Sequence, residues 1–391
     1  MLERVTLPVS SLSRLTQNPD LDQAALEDFL RQHSFPLQEG GRATFVFAGE
    51  ADAVRLHHWV HGVNNLQSFE RHPELGLWHL TLQLPEASRI EYKLEVSNNG
   101  QRELIQDPLN PLLAHDPFGA NSVCYGPGYR IPGWTLPDPS AARGALEKVE
   151  IDSQAYGEPR DLDIYLPAGF SREASYAWLV VHDGEDYLRY SDLQAVLDNL
   201  IHRGEIEPLV VALTTPRDRL QEYAGDPRQA QFLADDVAPM ILRDFAGEDS
   251  RKSRGLMGAS FGAVASLHAA WLYPRSFDRL LLQSGSFVAS PTGRTKRGPE
   301  FRPVVAFTQL FRTHPRPVCE KVYLSCGQYE SLARHNRELV PLLEDAGMDV
   351  LYTEARDGHN WENWRDRLRE GLTFLFPGTA YTSDAHGESD S

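Results

Sequence analysis

"RGLMGASFGAVASLHAAWLYP", residues 254–274, is the stretch on which the reading of this chain turns. Its first residues form a short buried-strand pattern and the run after Ser260 a helical one, so the serine falls on the turn between them. Gly258 and Gly262 flank it in a G-x-S-x-G spacing, which suits a sharp strand-to-helix elbow where packing leaves no room for Cβ atoms. The N-terminus of the following helix then aims unpaired N–H groups back toward the hydroxyl. A solvated serine in a glycine-rich turn is the plain alternative. A nucleophile needs three further things: a base, a group that orients the base, and donors for a developing oxyanion.

Outward from the elbow, apolar runs alternate with amphipathic ones. "RDLDIYLP", "AWLVVHDG", "PLVVALTTP", "FDRLLLQSG", "KVYLSCG" and "DVLYTEA" read as strands. "SDLQAVLDNLIHRG", "QAQFLADDVAPMILRDF" and "SLARHNRELVPLLEDAG" read as helices. Such alternation predicts a mostly parallel sheet with helices on both faces, an α/β-hydrolase fold over residues 148–377. Upstream the period changes. "ATFVFAG", "AVRLHHWV", "LWHLTLQLP" and "RIEYKLEV" are short strands parted by turn residues, and "SNNGQ" is a hairpin signal. Residues 1–130 are therefore expected to form an antiparallel β-sandwich with a short helical lead around "DLDQAALEDFLRQH". Residues 131–147, rich in Pro and Gly, read as a linker, and 378–391 as a disordered polar tail.

With 391 residues, 41% of them hydrophobic, the chain suits two globular domains, and its net charge of -17 argues against a nucleic-acid surface. The first residues are too polar for a signal peptide, and no window is apolar enough for a membrane span. Cys124, Cys319 and Cys326 have neither an even count nor CxxC spacing, so neither a disulfide framework nor a zinc site is expected. A cytoplasmic protein that uses no cofactor and binds neither nucleic acid nor membrane fits these features. Oligomeric state is not written in the sequence.

The base is expected beyond the last strand, where "EARDGHNWENW" places His359. His182, at the end of "WLVVH", is the rival because it reaches the same sheet edge. Glu330 in "CGQYESL" follows the preceding strand and is the candidate orienting acid; Asp357 and the more distant Glu354 are alternatives, and a Ser-His dyad is another. The non-catalytic alternative for Glu330 is helix capping. Backbone N–H groups of Phe261 and of Glu185, in the loop "HDGEDY", are the candidate oxyanion donors.

These motifs resemble the enterochelin (ferric enterobactin) esterase family. The resemblance is carried by "VVHDGEDYL", "RLQEY", "GASFGAVASLHAAWLYPRSFDRLLLQSGSF", "CGQYE" and "DGHNWENW", and spans roughly residues 160–365. It implies a serine esterase acting through an acyl-enzyme, with Ser260 and His359 as catalytic residues and Glu330 as the carboxylate. The N-terminal part is similar to that family's early-set sandwich domain, which shapes the substrate pocket. Here Asp357-Gly358-His359-Asn360 stands where the family often has G-G-H-D, and "HDG" where L-D-G is commoner. A siderophore substrate, a catecholate trianion, would need cations: Arg219 matches the family's arginine, with Arg217 and Arg189 nearby in sequence. Ion pairing of Arg219 with Glu222 is the competing role. Carbohydrate esters (feruloyl or acetyl), acyl transfer to an alcohol, and siderophore or glycan binding without turnover remain open readings. Trp59 and Trp78 are expected in the sandwich core rather than on a binding platform.

Overall fold

The computed structural model describes residues 11–17, 22–73, 75–290 and 298–380. The chain divides into two compact units. One comprises Met1–Arg130 with Gln328–Glu330 and Arg356–Gly358; the other comprises Ile131–Gly327, Ser331–Ala355 and His359–Ser391.

The first unit is a β-sandwich. Four strands, in the order Leu37–Glu39, Arg42–Ala48, Leu77–Gln83, Glu70–Arg71, form one sheet. The other runs Leu66–Ser68, Ala53–His58, Arg89–Asn98, Gly119–Tyr125, Leu113–Asp116, with Gln101–Ile105 also paired to Arg89–Asn98. All of these pairings are antiparallel. Inward residues such as Phe45, Leu56, Tyr92 and Leu94 alternate with outward polar ones and fill the core. The "SNNGQ" hairpin is tight because Asn99 (φ 49°) and Gly100 (φ 75°) both take the positive φ that a type I′ turn requires. Trp78 is buried at 6% exposure, as expected. Trp59 is not: it follows the Ala53–His58 strand with the outward parity of Ala53, Arg55 and His57, and is 51% exposed. The expected helical lead is present as Gln23–Gln32, capped by Asp22, whose carboxylate accepts from the Ala25 N–H at 2.8 Å.

The second unit is an α/β-hydrolase fold. Its eight strands lie in the order Ala145–Ser153, Glu158–Leu166, Leu209–Thr214, Ala177–His182, Arg254–Ala259, Arg279–Gln283, Lys321–Gly327, Asp349–Ala355. The first two join antiparallel and the remaining pairs from Leu209–Thr214 onward are parallel. The central strands are buried along their whole length because helices cover both faces, and the two largest apolar clusters occupy those faces. The Ala145–Ser153 strand has no counterpart in the sequence reading. It is exposed along most of its length, so its charged residues carry no burial signal. Residues 131–144 are held within this unit, where the Asn199 side chain donates to the Trp134 and Leu136 carbonyls, each at 2.8 Å. The segment expected to be one helix near 229–245 contains a π-helical stretch, Phe232–Val237, ahead of Ala238–Asp244. The polar tail lies outside the described residues beyond Ala380.

Candidate active site

Ser260 stands between the Arg254–Ala259 strand and the Phe261–Leu272 helix with φ 57° and ψ -115°, a conformation that L-residues rarely adopt. The two glycines allow it. A Cβ on Gly258 would come within 2.5 Å of the Gly262 carbonyl oxygen, and one on Gly262 would press on the His182 side chain at 3.1 Å. The strained residue is pinned by its backbone. Its N–H donates to the Gln283 carbonyl at 2.9 Å, and its carbonyl accepts from the Ser286 N–H at 3.2 Å. The Oγ atom is 3.3 Å from Ser286 Oγ, a neighbour from the "LQSGSF" segment that sequence reasoning does not single out.

The oxyanion candidates leave adjacent parallel strands at the same edge. Val181 is paired with Met257, so the turn after His182 and the turn at Ser260 emerge side by side. Asp183 (φ 55°) begins the Gly184–Tyr190 helix, and Glu185 lies in its first turn. Gly184 is obligatory there, since a Cβ would meet the Leu213 Cβ at 2.5 Å. Arg219 grips this turn. Its Nε and Nη2 donate to the two carboxylate oxygens of Asp183 at 2.8 and 2.7 Å, and Nη2 lies 3.5 Å from the Ala259 carbonyl. The partner of Arg219 is therefore Asp183, not Glu222. Glu222 instead pairs with Arg160 at 3.0 Å, and Arg217 with Glu158 at 2.6 Å. Arg189 lies with its guanidinium over the Tyr190 ring.

His182 is fully buried beneath the nucleophile helix. Its Nδ1 lies 3.0 Å from the Met257 carbonyl and 3.1 Å from Ser266 Oγ, and the Tyr223 ring meets it edge-on. Burial depresses its pKa to about 4. This is a structural histidine. His359, in contrast, is exposed and sits edge-on to Trp364 at 5.1 Å. The next residue, Asn360, caps the Trp361–Asp366 helix by accepting from the Asn363 N–H, which fixes the chain direction after the imidazole. Trp364 links this segment to the nucleophile turn. Its carbonyl accepts from the Gln283 side chain at 2.8 Å and its Nε1 donates to Ser284 Oγ at 2.9 Å, while the Gln283 carbonyl holds Ser260 N–H.

Glu330 is buried and follows the Lys321–Gly327 strand by three residues; His359 follows Asp349–Ala355 by four. Gly327 pairs with Ala355, so both leave neighbouring strands at one level. Asp357 is buried and faces Arg89, with Nη1 to carboxylate distances of 3.2 and 3.5 Å. Glu354 is bound to Arg337 and to the Tyr352 hydroxyl. No group of three or more metal-ligating side chains occurs among the described residues. Nor is any helix among them long and apolar enough to cross a membrane.

A family model with the description "Putative esterase" matches residues 153–375, more than half of the chain. The chain belongs to this esterase family. It is 24% identical to the iron(III) enterobactin esterase of Dickeya dadantii over 358 residues, covering 81% of each protein. A 178-residue stretch is 41% identical to the acetyl esterase of Caldicellulosiruptor saccharolyticus, covering 40% of this chain and 64% of that one. The ferric enterobactin esterase structure from Salmonella typhimurium superimposes with a TM-score of 0.73 at 19% identity, over 89% of this chain and 98% of that chain. The resemblance read from the motifs thus extends over both units.

Proposed function

We propose that this member of the esterase family is a serine esterase acting through an acyl-enzyme on a catecholate siderophore of the enterobactin type, releasing iron in the cytoplasm. The observation that carries the chemistry is the strained Ser260, held at φ 57° on a strand-to-helix elbow. His359 takes the Ser260 Oγ proton as the oxygen attacks the ester carbonyl. The N–H groups of Phe261 and Glu185 hold the oxyanion, and the imidazolium returns its proton to the departing alkoxide. Water, deprotonated by His359, then releases the acid from the serine. Glu330 orients the imidazole; its burial suits a carboxylate with that single task. No resident cofactor enters any step. Arg189 and the exposed side of Arg219 supply positive charge toward the anionic substrate.

The length of the match to enterobactin esterases, which takes in the sandwich as well as the hydrolase unit, supports the siderophore over a simple ester. A carbohydrate-ester substrate is the second reading, favoured by the 41% identity to an acetyl esterase within a shorter stretch. Chromatography of products from a ferric catecholate trilactone, a feruloyl sugar and an acetylated sugar separates the two. The proposal expects catechoyl-serine units from the trilactone and none from Ser260→Ala. Turnover of the sugar esters alone transfers the assignment to the second reading. Binding of the trilactone without turnover, unchanged in Ser260→Ala, refutes the enzyme.

A further inference from the structure

Arg89 is among the largest fully buried side chains, 2% exposed, and it belongs to no part of the chemistry described so far. It opens the Arg89–Asn98 strand of the sandwich on the face opposite the core residues Ile90, Tyr92 and Leu94, yet it is buried all the same, between buried Ser88 and Ile90. A charge taken out of water needs partners. Its partners include Glu91, to which Nη2 donates at 3.0 Å, and the Asp357 carboxylate, to which Nη1 donates at 3.2 Å. Glu91 is in turn fixed by the Asn121 side chain at 2.8 Å. One half of the fork is thus anchored inside the sandwich, and the other half is aimed at Asp357.

The backbone repeats the connection. Arg89 N–H donates to the Arg356 carbonyl at 2.9 Å, and Arg356 returns its Nη1 to the Glu86 carbonyl at 2.7 Å. The Asp357 carbonyl accepts from Tyr329 N–H at 3.1 Å, and the Tyr329 carbonyl accepts from His61 N–H at 2.8 Å. Asp357 also accepts from the Gly358 N–H through its own carboxylate at 2.7 Å. The two short segments so held, Gln328–Glu330 and Arg356–Gly358, belong to the sandwich unit although they lie far downstream of Arg130 in the chain. One ends on Glu330 and the other abuts His359.

We infer that Arg89 is a positioning residue for the reaction: by fixing Asp357, it sets where the chain turns into His359 and so where the imidazole stands. This rests on the serine-esterase reading, because positioning has no readout without turnover.

The test uses the full-length protein and a p-nitrophenyl ester, with Arg89→Met, Arg89→Lys, Asp357→Leu and the double variant Arg89→Met/Asp357→Leu. Wild type and Ser260→Ala are measured first; equal, background-level rates in both would sink the esterase reading itself and leave nothing to position. With that reading secure, Arg89→Met is expected to lower kcat about tenfold or more, with KM within about twofold, and to displace the acid limb of the kcat profile. Arg89→Lys keeps the charge without the fork and is expected to recover part of the rate. The double variant leaves one carboxylate without its cation, Glu91, where Arg89→Met leaves two, and is expected to melt above Arg89→Met while remaining as slow. Wild-type kcat and pH profile in the folded double variant would overturn the inference, reducing the pair to mutual charge neutralisation. A lower melting temperature in Arg89→Met, with kcat and pH profile unchanged, would overturn it in the same way.

Discussion

Acidification from pH 7 to 5 should destabilise the hydrolase unit through His182, and the size of the effect follows from its surroundings. The ring is packed by Gly262, Ser266, the Tyr223 edge and the Met257 carbonyl, with Asp183 and Arg219 as the nearest charges. The Met257 carbonyl can only accept, so Nδ1 carries the proton, and the Ser266 hydroxyl is spent on the Gly262 carbonyl at 2.9 Å. Nε2 is left without a hydrogen-bond partner among the described residues, and protonating it would place a charge where no acceptor stands. Burial accordingly lowers the pKa from 6.5 to about 4. Below 6.5 the unfolded chain binds a proton that the folded chain refuses, so folded stability is complete above 6.5 and falls as the pH drops toward 4. At about 1.36 kcal/mol per unit, the loss is about 2 kcal/mol between pH 7 and 5 and about 3 kcal/mol by pH 4.

Urea titrations at pH 7, 6, 5 and 4.5 measure this, with His182→Asn as the reference. Asparagine can still donate to the Met257 carbonyl but does not titrate. His268, half-buried against Phe307 and likewise lowered to about 4, contributes to the slope of both proteins and cancels in the difference. Wild type should therefore lose about 2 kcal/mol more than the variant between pH 7 and 5. The absolute stability of the variant is immaterial. Parallel curves for the two proteins would refute the reasoning, for they would mean that His182 titrates alike folded and unfolded.

Two further perturbations probe the elbow and its neighbour. Gly258→Ala drives a Cβ into the Gly262 backbone, which has no rotamer through which to retreat; we expect a loss of about 1–3 kcal/mol or more in urea unfolding and near-complete loss of ester hydrolysis, and a variant with wild-type kcat would contradict the close approach. Arg219→Met leaves the Asp183 carboxylate, 1% exposed, without its bidentate partner, and should destabilise by about 3–5 kcal/mol while lowering kcat through the displaced Glu185 N–H; unchanged stability would show that Asp183 is paired elsewhere.

What the sequence disclosed and what it withheld divide along a physical line. The elbow was legible because a positive φ and a crossing with no room for Cβ restrict residue choice locally, so Gly258, Ser260 and Gly262 carry the geometry themselves. The Asn99–Gly100 turn was legible for the same reason. The parallel strands announced themselves by continuous apolar runs, whereas Ala145–Ser153, solvated along most of its length, had no such signature. Partner choice was not legible at all. Glu222 lies three residues from Arg219 in the chain, yet Arg219 pairs with Asp183 across 36 residues, and Arg89 reaches Asp357 across 268. Such pairings are set by which strand edges the fold brings together. Trp59 escaped the core because it shares the outward parity of Ala53, Arg55 and His57, while Val54, Leu56 and His58 are the buried set.

The same pairings bear on substrate charge. Arg160 is matched by Glu222 and Glu158, Arg217 by Glu158, and Arg219 by Asp183, so much of the positive charge at the start of the Glu158–Leu166 strand and just after Leu209–Thr214 is neutralised in place. Ordinary pairing therefore uses up charge that composition alone would assign to an anionic ligand. A trianion drawn to this edge would act on the exposed part of Arg219 and on Arg189, and mobile salt would weaken that attraction. A neutral sugar ester has no such attraction to lose. The dependence of kcat/KM on ionic strength is thus tied to the charge of the true substrate and independent of the serine chemistry, which is common to both readings.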